Sequence, residues 1–100
     1  MIIKPRLLLP AELEMYAAAR YYELQAPGLG LDFLEKIELA LKDIANSPER
    51  WPVMSDNVRR RLIHHFPFAL LYKVDPDEII IVAVMHQKRH PAYWLPRNAR

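Results

Sequence analysis

The 100-residue sequence has no cysteine, only two glycines and no long apolar run. Without cysteine it cannot form a disulfide, a thiolate metal site or a thiol nucleophile. Its longest apolar run, residues 79–85, is well short of the roughly 20 residues that a membrane-spanning helix needs. Residues 1–5 lack the basic and small-residue features of a secretion signal. We therefore expect a cytoplasmic protein with no membrane segment.

Several familiar catalytic patterns are also missing. Both glycines, Gly28 and Gly30, lie in one Pro-Gly-Leu-Gly turn, so there is no glycine-rich phosphate loop. The acidic residues of the second half are confined to 75–78, which argues against a paired-carboxylate active site. His64 and His65 are adjacent and would point to opposite faces of a strand, so they cannot chelate one ion without distortion. We expect neither a metal nor a cofactor.

The charges are divided unevenly along what the length predicts to be a single domain, residues 1–100. Residues 1–58 hold six Lys/Arg and nine Asp/Glu, a net charge of −3. Residues 59–100 hold eight Lys/Arg and three Asp/Glu, a net charge of +5, together with all four histidines. This asymmetry predicts an anionic partner for the C-terminal part, either nucleic acid or an acidic protein segment. The alternative is a basic surface that is merely solvated.

The first half predicts an edge strand and two helices. Residues 2–9 read as a strand, and Pro5 restricts it to an edge because proline donates no ladder hydrogen bond. Pro10 suits a helix start, and a helix over 11–25 is predicted from apolar residues spaced three and four apart: Leu13, Ala17, Tyr21 and Leu24.

A second helix is predicted over 31–46, after Pro27-Gly28. It carries an apolar face formed by Phe33, Ile37, Leu41 and Ile44. Because so few residues join the two helices, they must pack as an antiparallel hairpin.

The second half predicts three successive strands after a loop carrying Trp51-Pro52. Residues 59–66 alternate imperfectly, whereas Phe66, Phe68, Leu70, Tyr72 and Val74 follow a period of two. A turn at 75–78 leads to residues 79–85, which are apolar on both faces, as in a central strand. The sequence thus predicts an α+β fold of order β-α-α-β-β-β, with a helical hairpin packed on a small, mainly antiparallel sheet.

The segment directly behind that central strand holds the most promising candidates for chemistry. His86 and His90 could act as general acid or base, Arg89 could stabilise a phosphate, and Tyr93 could position a hydroxyl. Together they would suffice for metal-free cleavage of RNA. The alternative is structural: His86 hydrogen-bonds to backbone at the strand end, while Tyr93 and Trp94 pack as anchors for the tail.

Arg59, Arg60 and Arg61 open the first strand of the C-terminal half. Alternation places Arg60 on one face and the other two on the opposite face, so they cannot all contact one phosphate. Their guanidinium groups suit an RNA backbone or an acidic antagonist. Charge that protects a strand edge explains them equally well.

The sequence resembles that of the RelE/ParE superfamily of bacterial type II toxins over nearly its whole length. The matching stretches, in order, are 18–23 (AARYYE), 27–30 (PGLG) followed by Phe33-Leu34, 47–52 (SPERWP), 59–62 (RRRL), 66–68 (FPF) with Tyr72, and Ala83-Val84 with His86, Arg89, Pro91, Tyr93, Trp94 and Arg97.

This resemblance implies a small toxin that a cognate antitoxin protein wraps and neutralises. It also implies two activities within one fold. ParE-like members poison DNA gyrase and are not known to need a catalytic centre, whereas RelE-like members cleave mRNA on the ribosome. Residues 51–58 contain none of the lysines that ribonucleolytic relatives often carry there. The Pro-Gly-Leu-Gly and Tyr-Trp motifs are also closer to the ParE-like branch.

Three hypotheses follow. The favoured one is a ParE-like growth inhibitor acting on DNA gyrase, with no cofactor. The second is a metal-independent, ribosome-dependent endoribonuclease acting on mRNA, for which the resemblance suggests Arg61, His86, Arg89 and Tyr93 as the site. The third is a non-toxic small RNA-binding module. In each case the residues predicted to contact target or antitoxin are Arg59, Arg60, Arg61, Arg89, Trp94 and Arg97.

Overall fold

Two helices cover one face of a five-stranded mixed sheet in the computed structural model, which describes residues 3–90 and 92–98. The strand order is β1-β5-β4-β3-β2, with β1 parallel to β5 and all other neighbours antiparallel. The elements are β1 (Arg6–Leu7), α1 (Leu9–Gln25), α2 (Leu29–Asn46), β2 (Val53–Ser55), β3 (Val58–Leu62), β4 (Phe68–Val74), β5 (Ile79–His86) and a short 3-10 helix (Leu95–Asn98).

This architecture confirms the predicted α+β fold and element order, with one addition. The segment expected to be a loop contains β2, which pairs with β3 at the far edge of the sheet. The predicted first strand is an edge strand, as Pro5 required, but only Arg6 and Leu7 pair with β5. In the described part of the chain, neither helix has the length and apolar character that crossing a membrane requires.

The two glycines shape the helical hairpin. Gly28 adopts φ +86°, a left-handed conformation that reverses the chain between α1 and α2. A Cβ at Gly30 would lie 2.5 Å from the carbonyl oxygen of Ala19, so this position allows the helices to approach closely. The Glu23 carboxylate accepts the backbone N–H groups of Gly28 and Gly30, each at 3.0 Å, and places a negative charge at the start of α2.

The main core lies between the hairpin and the sheet. The predicted apolar face of α2 is confirmed, with Phe33, Ile37 and Ile44 buried and Leu41 packed against them. From the sheet, Leu70 and Tyr72 join this core, as the period-two pattern of β4 predicted. Phe33 is surrounded edge-on by the rings of other aromatic residues, namely Phe66 and Phe68.

The prediction for α1 needs a correction. The helix exists, but Leu13, Ala17, Tyr21 and Leu24, which identified it, are exposed to solvent. Its core-facing side is formed instead by small residues, Ala11, Ala18 and Ala19, helped by Met15 and Tyr22. Small side chains bring α1 close to the sheet, and its larger apolar side chains point outward.

β5 is buried on both faces, as predicted for a central strand, because a second core covers the face away from the helices. Its pairing with β4 contains a bulge: Leu71 pairs with Ala83 and Tyr72 with Ile81, which leaves Val82 unpaired. Val82 and Ala83 therefore both belong to the second core. Trp94, from the C-terminal segment, covers this core.

Candidate functional site

The C-terminal tail, described at residues 87–90 and 92–98, crosses the sheet on the face opposite the helices. Trp94 is 1% exposed and packs against residues of β3, β4 and β5, among them Val58, Leu71 and Met85. Its indole Nε1 has no hydrogen-bond partner. The structural interpretation of Trp94 is therefore confirmed. A direct role in target or antitoxin binding, which was predicted for it, would require the tail to move.

A carboxylate on α1 accepts hydrogen bonds from two polar side chains of this tail. Glu14 accepts the Tyr93 hydroxyl at 2.7 Å and binds the Arg97 guanidinium through both oxygens, at 2.9 and 3.1 Å. Glu14 also accepts the backbone N–H of Val84 at 3.1 Å. Both partners of the ion pair are largely buried, with side-chain exposures of 18% for Glu14 and 21% for Arg97.

This ion pair takes the place of a missing strand neighbour. Pairing between β1 and β5 ends at Leu7 and Ile81, followed by one further hydrogen bond from the Leu8 N–H to the Ile81 carbonyl. Beyond that point, the Val84 N–H is satisfied by Glu14, and the Val82 carbonyl accepts a hydrogen bond from Arg97 at 3.3 Å. Side chains thus complete the edge of β5 where the backbone of β1 has ended.

The network keeps Tyr93 in its neutral form. Burial, followed by the hydrogen bond and negative charge of Glu14, raises the pKa of Tyr93 above its ordinary value of 10.0. The hydrogen bond to Glu14 also raises the pKa of Arg97. The guanidinium carbon of Arg89 lies 4.0 Å from the centre of the Tyr93 ring and that of Arg97 lies 5.0 Å from it. Tyr93 is therefore a hydrogen-bond donor enclosed by cations, with its hydroxyl already engaged.

His86 at the end of β5 and His90 in the tail both accept hydrogen bonds that stabilise turns. His86 Nδ1 accepts the backbone N–H of Lys88 at 3.0 Å, and His90 Nδ1 accepts that of Ala92 at 3.2 Å. His86 also packs edge-on against Phe68, with ring centres 5.0 Å apart. The backbone contact expected for His86 at the strand end is confirmed.

The arginine triplet divides as alternation predicted. Arg59 donates to the carbonyl oxygens of Glu49 and Trp51, at 3.0 and 2.7 Å. Arg61 binds Asp43 at 2.6 Å and lies over the Trp51 ring at 5.2 Å. These two arginines hold the loop between α2 and β2 against the sheet.

Arg60 differs from its neighbours. It is exposed on the sheet face opposite the helices, and it makes no ion pair within the described part of the chain. Of the triplet, Arg60 alone is exposed and carries a charge that no described side chain neutralises.

The structure does not bring the four residues of the predicted ribonuclease site together at one point. Arg89 and Tyr93 are in contact, and His86 begins the turn that leads to them. Arg61, however, lies on β3, with β4 between it and β5, a separation of roughly 10 Å across two strand spacings. Its guanidinium is held on the helix side by Asp43.

Glu14 is the residue that sequence reasoning missed. It lies three residues after buried Ala11 and four before buried Ala18, so helical spacing could have placed it toward the inner side of α1. A carboxylate there requires partners, because an unpaired buried charge is costly. Nothing local indicates that those partners are Tyr93 and Arg97.

A further group of exposed basic side chains lies at one end of the sheet. The turn holding His64 and His65 meets the start of the tail, where the Gln87 N–H donates to the Pro67 carbonyl at 2.8 Å. Lys88, Arg89 and His90 are exposed there, and residues 63–67 and 86–90 contain no acidic side chain. We call this the basic end. Among residues 3–90 and 92–98, no three His, Asp or Glu side chains are grouped so as to hold a metal ion.

Comparison with known proteins agrees with this fold. One chain of a solved structure, "Chromosomal ParDE TA system from P. aeruginosa", superposes with a TM-score of 0.75 at 18% identity. The match covers 85% of the present chain and 96% of that chain, and it shows the same fold. Comparison with curated proteins finds no match.

The family comparison is more specific. The family described as "ParE toxin of type II toxin-antitoxin system, parDE" matches residues 6–91, which include both helices and all five strands. This match confirms the resemblance found in the sequence, on its ParE-like side. The chain is a member of the ParE family of toxins of type II toxin–antitoxin systems.

Proposed function

We propose that this chain inhibits growth in the cytoplasm by binding DNA gyrase, without a catalytic centre of its own, and that a cognate antitoxin neutralises it. One observation carries the proposal: three of the four residues of the ribonuclease hypothesis, all except Arg89, already take part in contacts that hold the fold. Tyr93 and Arg97 are bound to Glu14, the His86 Nδ1 accepts a backbone N–H, and Arg61 is paired with Asp43.

The surface available for binding consists of the cations that remain free of described ion pairs. Arg60 on the open sheet face, and Lys88 and Arg89 at the basic end, are exposed. Such a surface suits a large anionic or mixed-charge target, and it also suits an acidic antitoxin segment. Neutralisation by that segment should therefore be fast and weaken as salt concentration rises.

The gyrase proposal can be tested with purified protein, gyrase and supercoiled DNA. We expect cleaved DNA–gyrase complexes to accumulate, and a Lys88→Glu/Arg89→Glu variant to lose most of that effect. Lys4→Glu/Lys42→Glu, which reverses two exposed lysines outside the basic end, provides the charge-matched control. A wild-type protein that leaves gyrase unaffected while still arresting growth would exclude gyrase as the target.

A second candidate function, that of a ribosome-dependent endoribonuclease, is supported by the contact between Arg89 and Tyr93. Primer extension on translated mRNA distinguishes it, because cuts in the ribosomal A site would disappear in an Arg89→Ala/Tyr93→Phe variant. Intact message during growth arrest would exclude it. The third candidate, a non-toxic RNA-binding module, predicts salt-sensitive RNA affinity and no growth defect.

A further inference from the structure

The outer face of α1 carries a row of large apolar side chains that nothing in the described chain covers. Their exposed fractions are 65% for Leu9, 60% for Leu13, 55% for Tyr16, 60% for Tyr21 and 76% for Leu24. We call this row the α1 stripe. Exposed apolar patches larger than a few hundred Å² often mark interaction surfaces. The α1 stripe is therefore a candidate interaction surface.

Two leucines of the α1 stripe are equally spaced about the point between Tyr16 and Ala17. Leu9 lies as far before that point as Leu24 lies after it. Leu13 and Arg20 are related in the same way. If two α1 helices run antiparallel about a two-fold axis there, Leu9 of one copy meets Leu24 of the other at both ends.

The charges beside the α1 stripe fit the same arrangement. Glu12 and Arg20 are both exposed, and neither makes an ion pair with any described side chain. In the antiparallel pairing, the stem of Arg20 packs over Leu13 of the other copy, and its guanidinium reaches that copy's Glu12. Symmetry produces this contact twice. Ala17, small and exposed at the crossing point, lets the helices approach to about 8–10 Å between axes.

We propose that the α1 stripe is a self-association surface through which two copies of this chain pair, with α1 helices antiparallel and a two-fold axis beside Tyr16 and Ala17. A two-fold interface must be complementary to itself, which an unrelated partner would not require. The five residues expose on the order of 600 Å² per copy, so a pairing that covered them completely would bury about 1,200 Å², the lower end of the range of specific interfaces.

The proposed pairing is independent of the proposed target. It uses the outer side of the helical layer, whereas Arg60 and Trp94 lie on the opposite face of the sheet. A failure of the gyrase test would leave it untouched, and the reverse also holds.

Light scattering on the purified chain provides the first test. We expect a mass of twice 11.8 kDa that falls to 11.8 kDa on dilution. Arg20→Glu should shift the protein to the monomer, because two Glu12 contacts become repulsive. The charge-swapped variant Glu12→Arg/Arg20→Glu should restore the dimer. All these positions are exposed, and circular dichroism verifies that each variant folds.

Cross-linking tests the position of the axis, since the natural chain has no cysteine. Oxidation of Ala17→Cys should give a disulfide-linked dimer in high yield, because helices crossing there bring the two Cα atoms within disulfide range. Leu39→Cys, also at an exposed apolar position but on α2, is the matched control and should give little dimer.

Three results would overturn the proposal: a monomer at every concentration, equal cross-linking of the two cysteine variants, or a charge swap that stays monomeric. If the free chain is monomeric and the α1 stripe becomes protected from hydrogen exchange only in complex with antitoxin, the occupant is the antitoxin and self-association is wrong.

Discussion

Glu14 on α1 and Arg97 in the C-terminal tail form a two-oxygen ion pair that closes the edge of β5 beyond the end of β1. The pair connects the first helix, the central strand and the tail in one contact. Both side chains are mostly buried, so loss of either leaves the other's charge without its partner.

The Glu14 network can be tested by its removal. Glu14→Ala deprives the Tyr93 hydroxyl, the Arg97 guanidinium and the Val84 N–H of their acceptor, and we expect the free energy of unfolding to fall by about 2–3 kcal/mol in urea titrations. Glu38→Ala, at an exposed position on α2, should change it by less than about 0.5 kcal/mol. Equal losses from the two variants would show that the network adds little stability.

Tyr93 predicts a pH dependence at the alkaline end. Its pKa in the folded chain is raised above the ordinary 10.0, chiefly by burial and then by Glu14. As pH rises, the unfolded chain therefore releases this proton first, and stability that is fully present below about pH 10 is lost above it. Tyr93→Phe should show a shallower decline in unfolding free energy between about pH 9.5 and 11 than the wild type.

Urea titrations at several pH values measure this slope. Tyr16→Phe, an exposed change on α1, should keep the wild-type slope. Tyr22 and Tyr72, whose pKa values burial also raises, are present in every variant and contribute equally. A wild-type slope in Tyr93→Phe would contradict the prediction.

The helical hairpin predicts different costs at its two glycines. Gly30→Ala would place a Cβ 2.5 Å from the Ala19 carbonyl oxygen and 2.9 Å from the Glu23 Cβ, so the helices must separate. We expect a loss of about 2–3 kcal/mol in unfolding free energy. Gly28→Ala meets nothing within 4 Å and should lose about 1 kcal/mol, from its left-handed backbone alone. A larger loss for Gly28→Ala than for Gly30→Ala would show that α1 and α2 can separate at Gly30 with little loss of stability.

The arginine triplet allows function to be separated from stability. Arg61→Ala removes the ion pair with Asp43 and the contact with Trp51, and we expect about 1–2 kcal/mol less unfolding free energy. Arg60→Ala should leave stability within about 0.5 kcal/mol of wild type but reduce growth inhibition on expression. Full toxicity in a stably folded Arg60→Ala variant would remove Arg60 from the binding surface.

The contrast between the helices explains how far the sequence predicts this fold. α2 has one apolar face, so its periodicity indicated the buried residues correctly. α1 is apolar on nearly all sides, and no periodic pattern can show which side meets the sheet when alanines line the inner one. β2, only three residues long and placed directly after a proline, has too little pattern to be predicted.

The candidate site was likewise predictable only in part. The apolar character of both faces of β5 implied a cover on each, and two helices can cover only one. The tail was the remaining segment, which in principle assigns Trp94 to the second core. The role of Glu14 could not be inferred, because it depends on partners 79 and 83 residues later in the chain.

That separation in sequence affects how the chain reaches its active form during synthesis. α1 leaves the ribosome early, yet its inward carboxylate, Glu14, finds its partners only when the residues near position 97 have emerged. The central strand, which both cores require, is also made late. Folding should therefore be deferred until the residues near position 97 have emerged. A nascent chain of this toxin would stay unfolded, and so harmless to the cell that makes it, until the tail can close over the sheet.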